Sequence, residues 1–125
     1  MVEDPLERVR AICLALPEAV EHKGGVGSPS FTVRAKIFAM RHPDGVHGSR
    51  SSLWVKAPRG LQDVLVRSDP KRYFVPPYVG HHGWVGIYLD VALDWDEMAG
   101  LIEDSYRMTA PKRLAARINQ PGKAP

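Results

Sequence analysis

The sequence contains a single cysteine, Cys13, among its 125 residues. One thiol cannot close an intrachain disulfide or supply a cysteine zinc cluster. Long apolar runs are also missing, because no stretch approaches the ~18 apolar residues of a membrane-spanning helix. The acidic residues Glu3 and Asp4 are unlike the positively charged start of a secretory signal peptide. We therefore expect a cytoplasmic protein that does not enter a membrane.

Catalytic and metal-binding motifs are scarce as well. No Gly-x-Ser-x-Gly motif marks a hydrolase nucleophile, and the glycines at 24–27 lack the Gly-Lys-Ser/Thr ending of a phosphate-binding loop. The carboxylates at 94–97 are explained by helix capping. The five histidines show no spacing typical of metal ligands: His22, His42, His47, His81 and His82. The sequence therefore predicts a non-enzymatic protein with no metal and no cofactor.

The composition is that of an ordinary globular domain. Apolar residues make up 44% of the chain and charged residues 25%, which excludes collagen-like and wholly disordered chains. A chain of this length can bury one core without disulfides. No repeat or linker divides the sequence. We predict a single domain over residues 1–118, followed by a flexible tail at 119–125.

Hydrophobic periodicity places helices at both ends and strands between them. Apolar residues at helical spacing predict a helix between Asp4 and Pro17, another from the capping box at Asp94 to Thr109, and a last short one through Ile118. Alternating residues predict strands at 31–33, 37–40, 52–56 and 84–89, with a possible short strand near Val20 and a short helix at 58–66. The first two strands form a hairpin. Its turn contains Ala35, an unusual residue where the tightest turns require positive φ angles.

Charge is distributed in blocks along the chain. The formal net charge is only +3, but residues 23–72 carry ten basic and three acidic side chains, and residues 105–125 carry five basic and none acidic. A polyanion responds to such blocks rather than to the net charge. Lys and Arg that merely solvate the outer surface of the domain would give the same pattern, and both interpretations stay open.

The basic side chains on the predicted strands and loops are candidate phosphate contacts. They are Lys36, Arg41, Arg50, Lys56, Lys71 and Arg72, with a second strip formed by Lys112, Arg113 and Arg117 on the last helix. Arg and Lys neutralise phosphates and release counterions, so these residues predict binding to nucleic acid.

From Lys71 to Asp90 the sequence reads Lys-Arg-Tyr-Phe-Val-Pro-Pro-Tyr-Val-Gly-His-His-Gly-Trp-Val-Gly-Ile-Tyr-Leu-Asp, and an acidic-capped helix ending in Ser-Tyr-Arg follows. This order resembles the MmcQ/YjbR family, and the similarity extends over residues 5–118. The resemblance implies an α+β fold of the frataxin/CyaY type, in which an antiparallel sheet carries the N- and C-terminal helices on one face. It also implies binding of double-stranded DNA through two β-hairpin wings. This sequence departs from the family pattern at Ala35 in the hairpin turn and at the long, glycine-rich loop 42–51, which changes one wing. The iron binding of frataxin does not carry over, because the acids of the first helix are few and alternate with Arg8 and Arg10.

An alternative function is a small-ligand or protein-binding module. Its site would be a cleft between aromatic and imidazole side chains: Tyr73, Tyr78, His81, His82 and Trp84. Tyr73 and Trp84 also suit a second role, as core residues. For either function we expect a monomer or a weak homodimer.

Overall fold

The computed structural model describes residues 5–24, 28–43 and 50–118. Its elements are α1 (Pro5–Leu14), β1 (Val20–His22), β2 (Ser30–Val33), β3 (Lys36–His42), β4 (Ser52–Val55), α2 (Leu61–Ser68), β5 (Tyr73–Phe74), β6 (Val85–Tyr88), α3 (Trp95–Thr109) and α4 (Lys112–Ile118). A 3₁₀ turn, Gly80–His82, precedes β6. None of the described helices combines the length and hydrophobicity needed to cross a bilayer. The tail predicted at 119–125 and most of the loop predicted at 42–51 lie outside the described residues.

The six described strands form one sheet in the order β1-β2-β3-β4-β6-β5, and every neighbouring pair is antiparallel. Ala39 pairs with Val55, which pairs with Val85, and Ile87 pairs with Tyr73. Paired residues lie on the same side of a sheet, and successive residues alternate between its sides. All five residues are buried, so they mark the core side of the sheet.

One apolar cluster fills the space between this side of the sheet and the helices. Val9 and Cys13 of α1, Ile102 and Tyr106 of α3, and Leu114 of α4 all belong to it. Burial raises the pKa of the Cys13 thiol, as expected for a packed cysteine. The N- and C-terminal helices therefore pack on one face of an antiparallel sheet, and the α+β fold predicted from the sequence is confirmed.

The hairpin between β2 and β3 has a two-residue turn, because Val33 pairs with Lys36. The turn residues Arg34 and Ala35 have φ angles of 51° and 67°. Two consecutive positive φ angles are the requirement of a type I′ turn, whose twist matches that of the strands it joins. Ala35 thus adopts the conformation for which it is an unusual residue.

Two elements differ from the sequence prediction. Helix α2 begins at Leu61 rather than near Pro58, because Gly60 precedes it with a left-handed φ of 90°. Strand β5 was not predicted, since it has only two residues. Helix α3 agrees with the prediction: the Asp94 carboxylate accepts hydrogen bonds from the backbone N–H groups of Asp96 and Glu97, at 3.1 and 3.2 Å.

Ser105 connects α3 to the two central strands. Its fully buried hydroxyl accepts a hydrogen bond from the Lys56 backbone N–H at 2.9 Å and donates one to the Phe38 carbonyl. The β2–β3 register shifts at Phe38, which has no paired residue in β2. The Ser105 hydroxyl therefore supplies the Phe38 carbonyl with a hydrogen bond where the pairing of the strands is interrupted.

We expect Ser105→Ala to destabilise the fold by about 1–3 kcal/mol, because it leaves a buried carbonyl acceptor and a partly buried N–H donor without their partner. Urea unfolding, monitored by circular dichroism, measures the decrease in the free energy of unfolding. Ser68→Ala is the control, since the Ser68 hydroxyl bonds the Leu65 carbonyl on the exposed surface of α2. Equal stabilities of the two variants would contradict the role given to Ser105.

Candidate nucleic-acid interface

The predicted phosphate contacts lie at two ends of the sheet. One end contains the β2–β3 turn, the end of β4 and the start of β6, and Lys36 and Lys56 lie there. The other end contains the end of β3 and the starts of β4 and β5, with Arg41, Arg50 and the neighbouring residues Lys71 and Arg72. The structure therefore does not bring all the predicted residues onto one surface.

At the second end, carboxylates pair with Arg50 and Arg72, and Arg41 donates a hydrogen bond to the Ser51 hydroxyl. Arg50 donates hydrogen bonds of 2.8 and 2.6 Å to Asp90, and these bonds raise the pKa of its guanidinium. Arg72 donates to Glu97 at 3.2 Å and lies 3.6 Å from Asp69. Arg50 and Arg72 therefore already have anionic partners within the protein.

At the first end, two lysines lie close together without a carboxylate. Lys56 is half-buried, and its Nζ lies 5.9 Å from the centre of the Trp84 ring. Burial lowers the pKa of Lys56, and the positive charge of Lys36 lowers it further. Neither lysine has an ion pair among the residues that the structure describes. This end therefore holds like charges near one another.

Helix α4 adds positive charge beside the same turn. Arg34, in the turn, donates hydrogen bonds of 2.6 and 3.1 Å to Glu18. These bonds lower the pKa of the Glu18 carboxyl, and the charges of Arg117 and Arg113 lower it further. The two α4 arginines are one helical turn apart, so they lie on the same side of the helix.

We call this group of side chains the basic end: Arg34, Lys36, Lys56, Arg113 and Arg117. Within the described parts of the chain, only Arg34 of this group forms an ion pair. Sequence reasoning did not select Arg34. The sequence could have indicated Arg34, because it lies in the hairpin turn close to the predicted phosphate contact Lys36. The proximity of α4 to that turn could not be predicted, because it depends on the fold.

The sheet separates Tyr73 from Trp84, two of the five residues of the predicted cleft. Tyr73 is on the core side, where its hydroxyl donates to Glu97 and burial raises its pKa. Trp84 precedes the core residue Val85, so it lies on the opposite side. Tyr78 is 87% exposed at a φ of 67°, and His81 and His82 are exposed in the 3₁₀ turn. These residues do not line a common cleft.

Another group of rings occupies the side of the sheet opposite the core. We call it the aromatic face, formed by His42, Trp54, Phe74, Trp84 and Tyr88. The rings of His42 and Trp54 stack with centres 3.7 Å apart, and those of Phe74 and Tyr88 with centres 4.5 Å apart. A Cβ on Gly86 would overlap the Phe74 ring, so glycine is required there.

An open groove lies near the start of α1 and the start of α3. Its volume is about 480 Å³. Arg8 and Trp95 line it, with the Arg8 guanidinium 4.7 Å from the centre of the Trp95 ring. In the described ranges, no three His, Cys, Asp or Glu side chains are grouped so that they could hold a metal ion.

Comparison with known proteins gives a family and a fold. The model of the YjbR family matches residues 14–108. The structure is similar to the crystal structure of Deinococcus radiodurans protein DR2400, which has a DUF419 domain, with a TM-score of 0.72 and 17% sequence identity. The match covers 93% of this chain and 88% of that one. No curated protein matches the sequence.

We expect mild acid to destabilise the fold through His42. Burial lowers the pKa of this imidazole, so the folded protein favours its neutral form. As the pH falls below about 6.5, the ordinary pKa of histidine, the unfolded chain takes up a proton at this site more readily than the folded chain. The free energy of unfolding should therefore decrease between pH 7.5 and pH 5.5.

The variant His42→Phe keeps a ring over Trp54 and removes the titration. Its unfolding free energy, from urea titrations at several pH values, should depend less on pH than that of the unmodified protein. Identical slopes for the two proteins would assign the pH dependence to other groups.

Proposed function

The chain belongs to the YjbR family, and we propose that it binds the phosphates of double-stranded DNA through the basic end. The proposal rests mainly on one observation: Lys36 and Lys56 lie close together in a part of the structure where no described carboxylate pairs with them. It assigns no catalytic step to the chain.

The charge arrangement supports an anionic partner. Packing Lys56 against Trp84 near Lys36 disfavours its protonated form, as the direction of its pKa shift indicates. A phosphate bound between the two lysines would offset both the burial and the repulsion. Several such contacts release counterions from DNA, which is the main source of affinity in binding that does not depend on sequence.

The shape of the hairpin also supports this site. The turn between β2 and β3 leaves Arg34, Ala35 and Lys36 exposed at one end of the sheet. The charges of Arg113 and Arg117 on α4 act on Glu18, which binds Arg34 of the turn. A phosphate backbone could contact the turn and the helix together, with the hairpin as one wing. No residue of the basic end is assigned to base recognition, so we propose weak dependence on DNA sequence.

The arginines at the other end are less suited to this role. A phosphate contact by Arg50 or Arg72 has to replace or share a carboxylate partner. An arginine that already binds a carboxylate gains less free energy from a phosphate contact, because its charge is already compensated. We therefore assign DNA contacts to Lys36, Lys56 and the α4 arginines, and none to Arg50 or Arg72.

We expect Lys36→Gln/Arg113→Gln to weaken binding to random duplex DNA. Each lost phosphate contact should reduce the slope of log affinity against log salt by roughly 0.9, so the double variant should lose roughly 1.8. Fluorescence anisotropy with labelled duplex, at several salt concentrations from about 50 mM upward, measures the slope.

The matched control is Lys23→Gln/Lys71→Gln, which removes two exposed charges away from the basic end. It should leave the slope nearly unchanged. If both double variants reduced the salt slope equally, DNA binding would depend on net charge alone and not on the basic end. Absence of binding by the unmodified protein at low salt would exclude the proposed function.

A further inference from the structure

The aromatic face differs in composition from the rest of the surface. The described strand positions on this side carry no Asp or Glu: the register places Val20, His22, Ser30, Thr32, Ile37, Met40, His42, Ser52, Trp54, Phe74, Gly86 and Tyr88 there. The one acid within the strands, Glu21, pairs with Phe31 on the core side and binds Arg10 of α1. Rings and small polar groups thus lie side by side on this face, and its described strand positions hold no carboxylate that would repel an anionic ligand.

Cations border these rings at both ends of the sheet. The Nζ atom of Lys56 lies 5.9 Å from the centre of the Trp84 ring. At the other end, the Arg50 guanidinium lies 3.7 Å from the centre of the Tyr88 ring while it binds Asp90. The side therefore combines a row of π surfaces with positive charge at its borders, one of the two charges being unpaired.

The rings are only partly covered. His42 is half-buried over the more deeply buried Trp54, which is 9% exposed and donates its indole N–H to the Ser52 hydroxyl at 3.0 Å. Phe74 is half-buried over Gly86 beside Tyr88. The His42 and Phe74 rings are thus each held in place by stacking on a neighbouring ring, and each remains partly exposed.

We propose that the aromatic face binds single-stranded nucleic acid, with unpaired bases stacking on the rings of His42 and Phe74 and a phosphate beside Lys56. Bases stack on aromatic side chains regardless of sequence, while cations at the edge of such a platform follow the phosphates. The described strand positions of this face carry no carboxylate, and Lys56 lies at its border, so the face favours a polyanion over an acid-poor protein partner, which would gain nothing from Lys56.

This site goes beyond the proposed duplex-binding function and does not depend on it. Duplex bases are paired and stacked on one another, so they cannot use the rings, and the basic end offers no rings except Trp84 beside Lys56. Variants of His42 and Phe74 test the new site without altering any residue of the basic end.

The test compares two probes with the same phosphates: a short labelled oligothymidylate and an abasic chain of equal length. Fluorescence anisotropy should give at least about tenfold tighter binding to oligothymidylate, since stacking contributes only when bases are present. The variant His42→Leu/Phe74→Leu removes two rings and keeps apolar bulk. Its affinity for oligothymidylate should fall at least about tenfold, while its affinity for the abasic chain stays within twofold.

The matched control is His42→Phe/Phe74→Tyr, which retains both rings and should bind oligothymidylate within about threefold of the unmodified protein. Thermal unfolding of both double variants confirms that they are folded at the assay temperature. A second readout uses Trp95→Phe, which leaves Trp54 and Trp84 as the remaining tryptophans of the sequence. Their fluorescence should be quenched by oligothymidylate and not by the abasic chain.

Three outcomes would overturn the proposal. The first is that the unmodified protein binds oligothymidylate and the abasic chain with equal affinity, or that it binds neither of them. Another is a folded leucine double variant that binds oligothymidylate as tightly as the ring-retaining control. The third is a stable dimer in light scattering that the leucine double variant alone dissociates, because the face would then be occupied by a second copy. Loss of duplex binding in the Lys36→Gln/Arg113→Gln variant, with oligothymidylate discrimination intact, separates this site from the basic end.

Discussion

The packing of α3 on the two central strands determines which side of every strand faces the core. From a buried position, Ser105 bonds Phe38 of β3 and Lys56, which directly follows β4, and its α3 neighbours Ile102 and Tyr106 belong to the apolar cluster. Once Val55 and Val85 face α3, the pleat places Trp54, Lys56, Trp84 and Tyr88 on the other side. The aromatic face and the position of Lys56 next to a ring are therefore consequences of core packing.

Ion pairing decides which of the many cations are available. The chain carries seventeen Lys and Arg residues, but several arginines bind carboxylates that are near only in the folded protein. Arg50 and Asp90 are separated by 40 positions, and Arg72 and Glu97 by 25. The basic end is distinguished by the shortage of such partners, with Glu18 as the one acid that pairs there among the described residues. Exposed pairs of this kind contribute little to stability, so their main effect is on the charge that the surface presents.

Local patterns predicted the helices and most of the strands, but they could not predict which charged residues the fold brings together. The Asp94 cap and the hairpin depend on neighbouring residues, which the sequence shows directly. Strand β5 depends on pairing with β6, and two residues are too few for a periodic pattern. The blocks of positive charge indicated basic surface, but the pairing of Arg50 and the approach of Arg113 to the turn depend on contacts between distant elements. The predicted cleft joined Tyr73 and Trp84 along the sequence, and the sheet separates them.

Lys56 lies where the two proposed surfaces meet. Its backbone N–H donates to the Ser105 hydroxyl, and its Nζ lies 5.9 Å from the centre of the Trp84 ring. Burial and repulsion both disfavour its charged form, and within the described structure no acid compensates them. Burial and repulsion of this cation oppose folding, and the contact with the Trp84 ring offsets part of that cost. In the proposed complexes a phosphate supplies the missing charge, and the same lysine then serves the duplex at the basic end or the unpaired strand on the aromatic face.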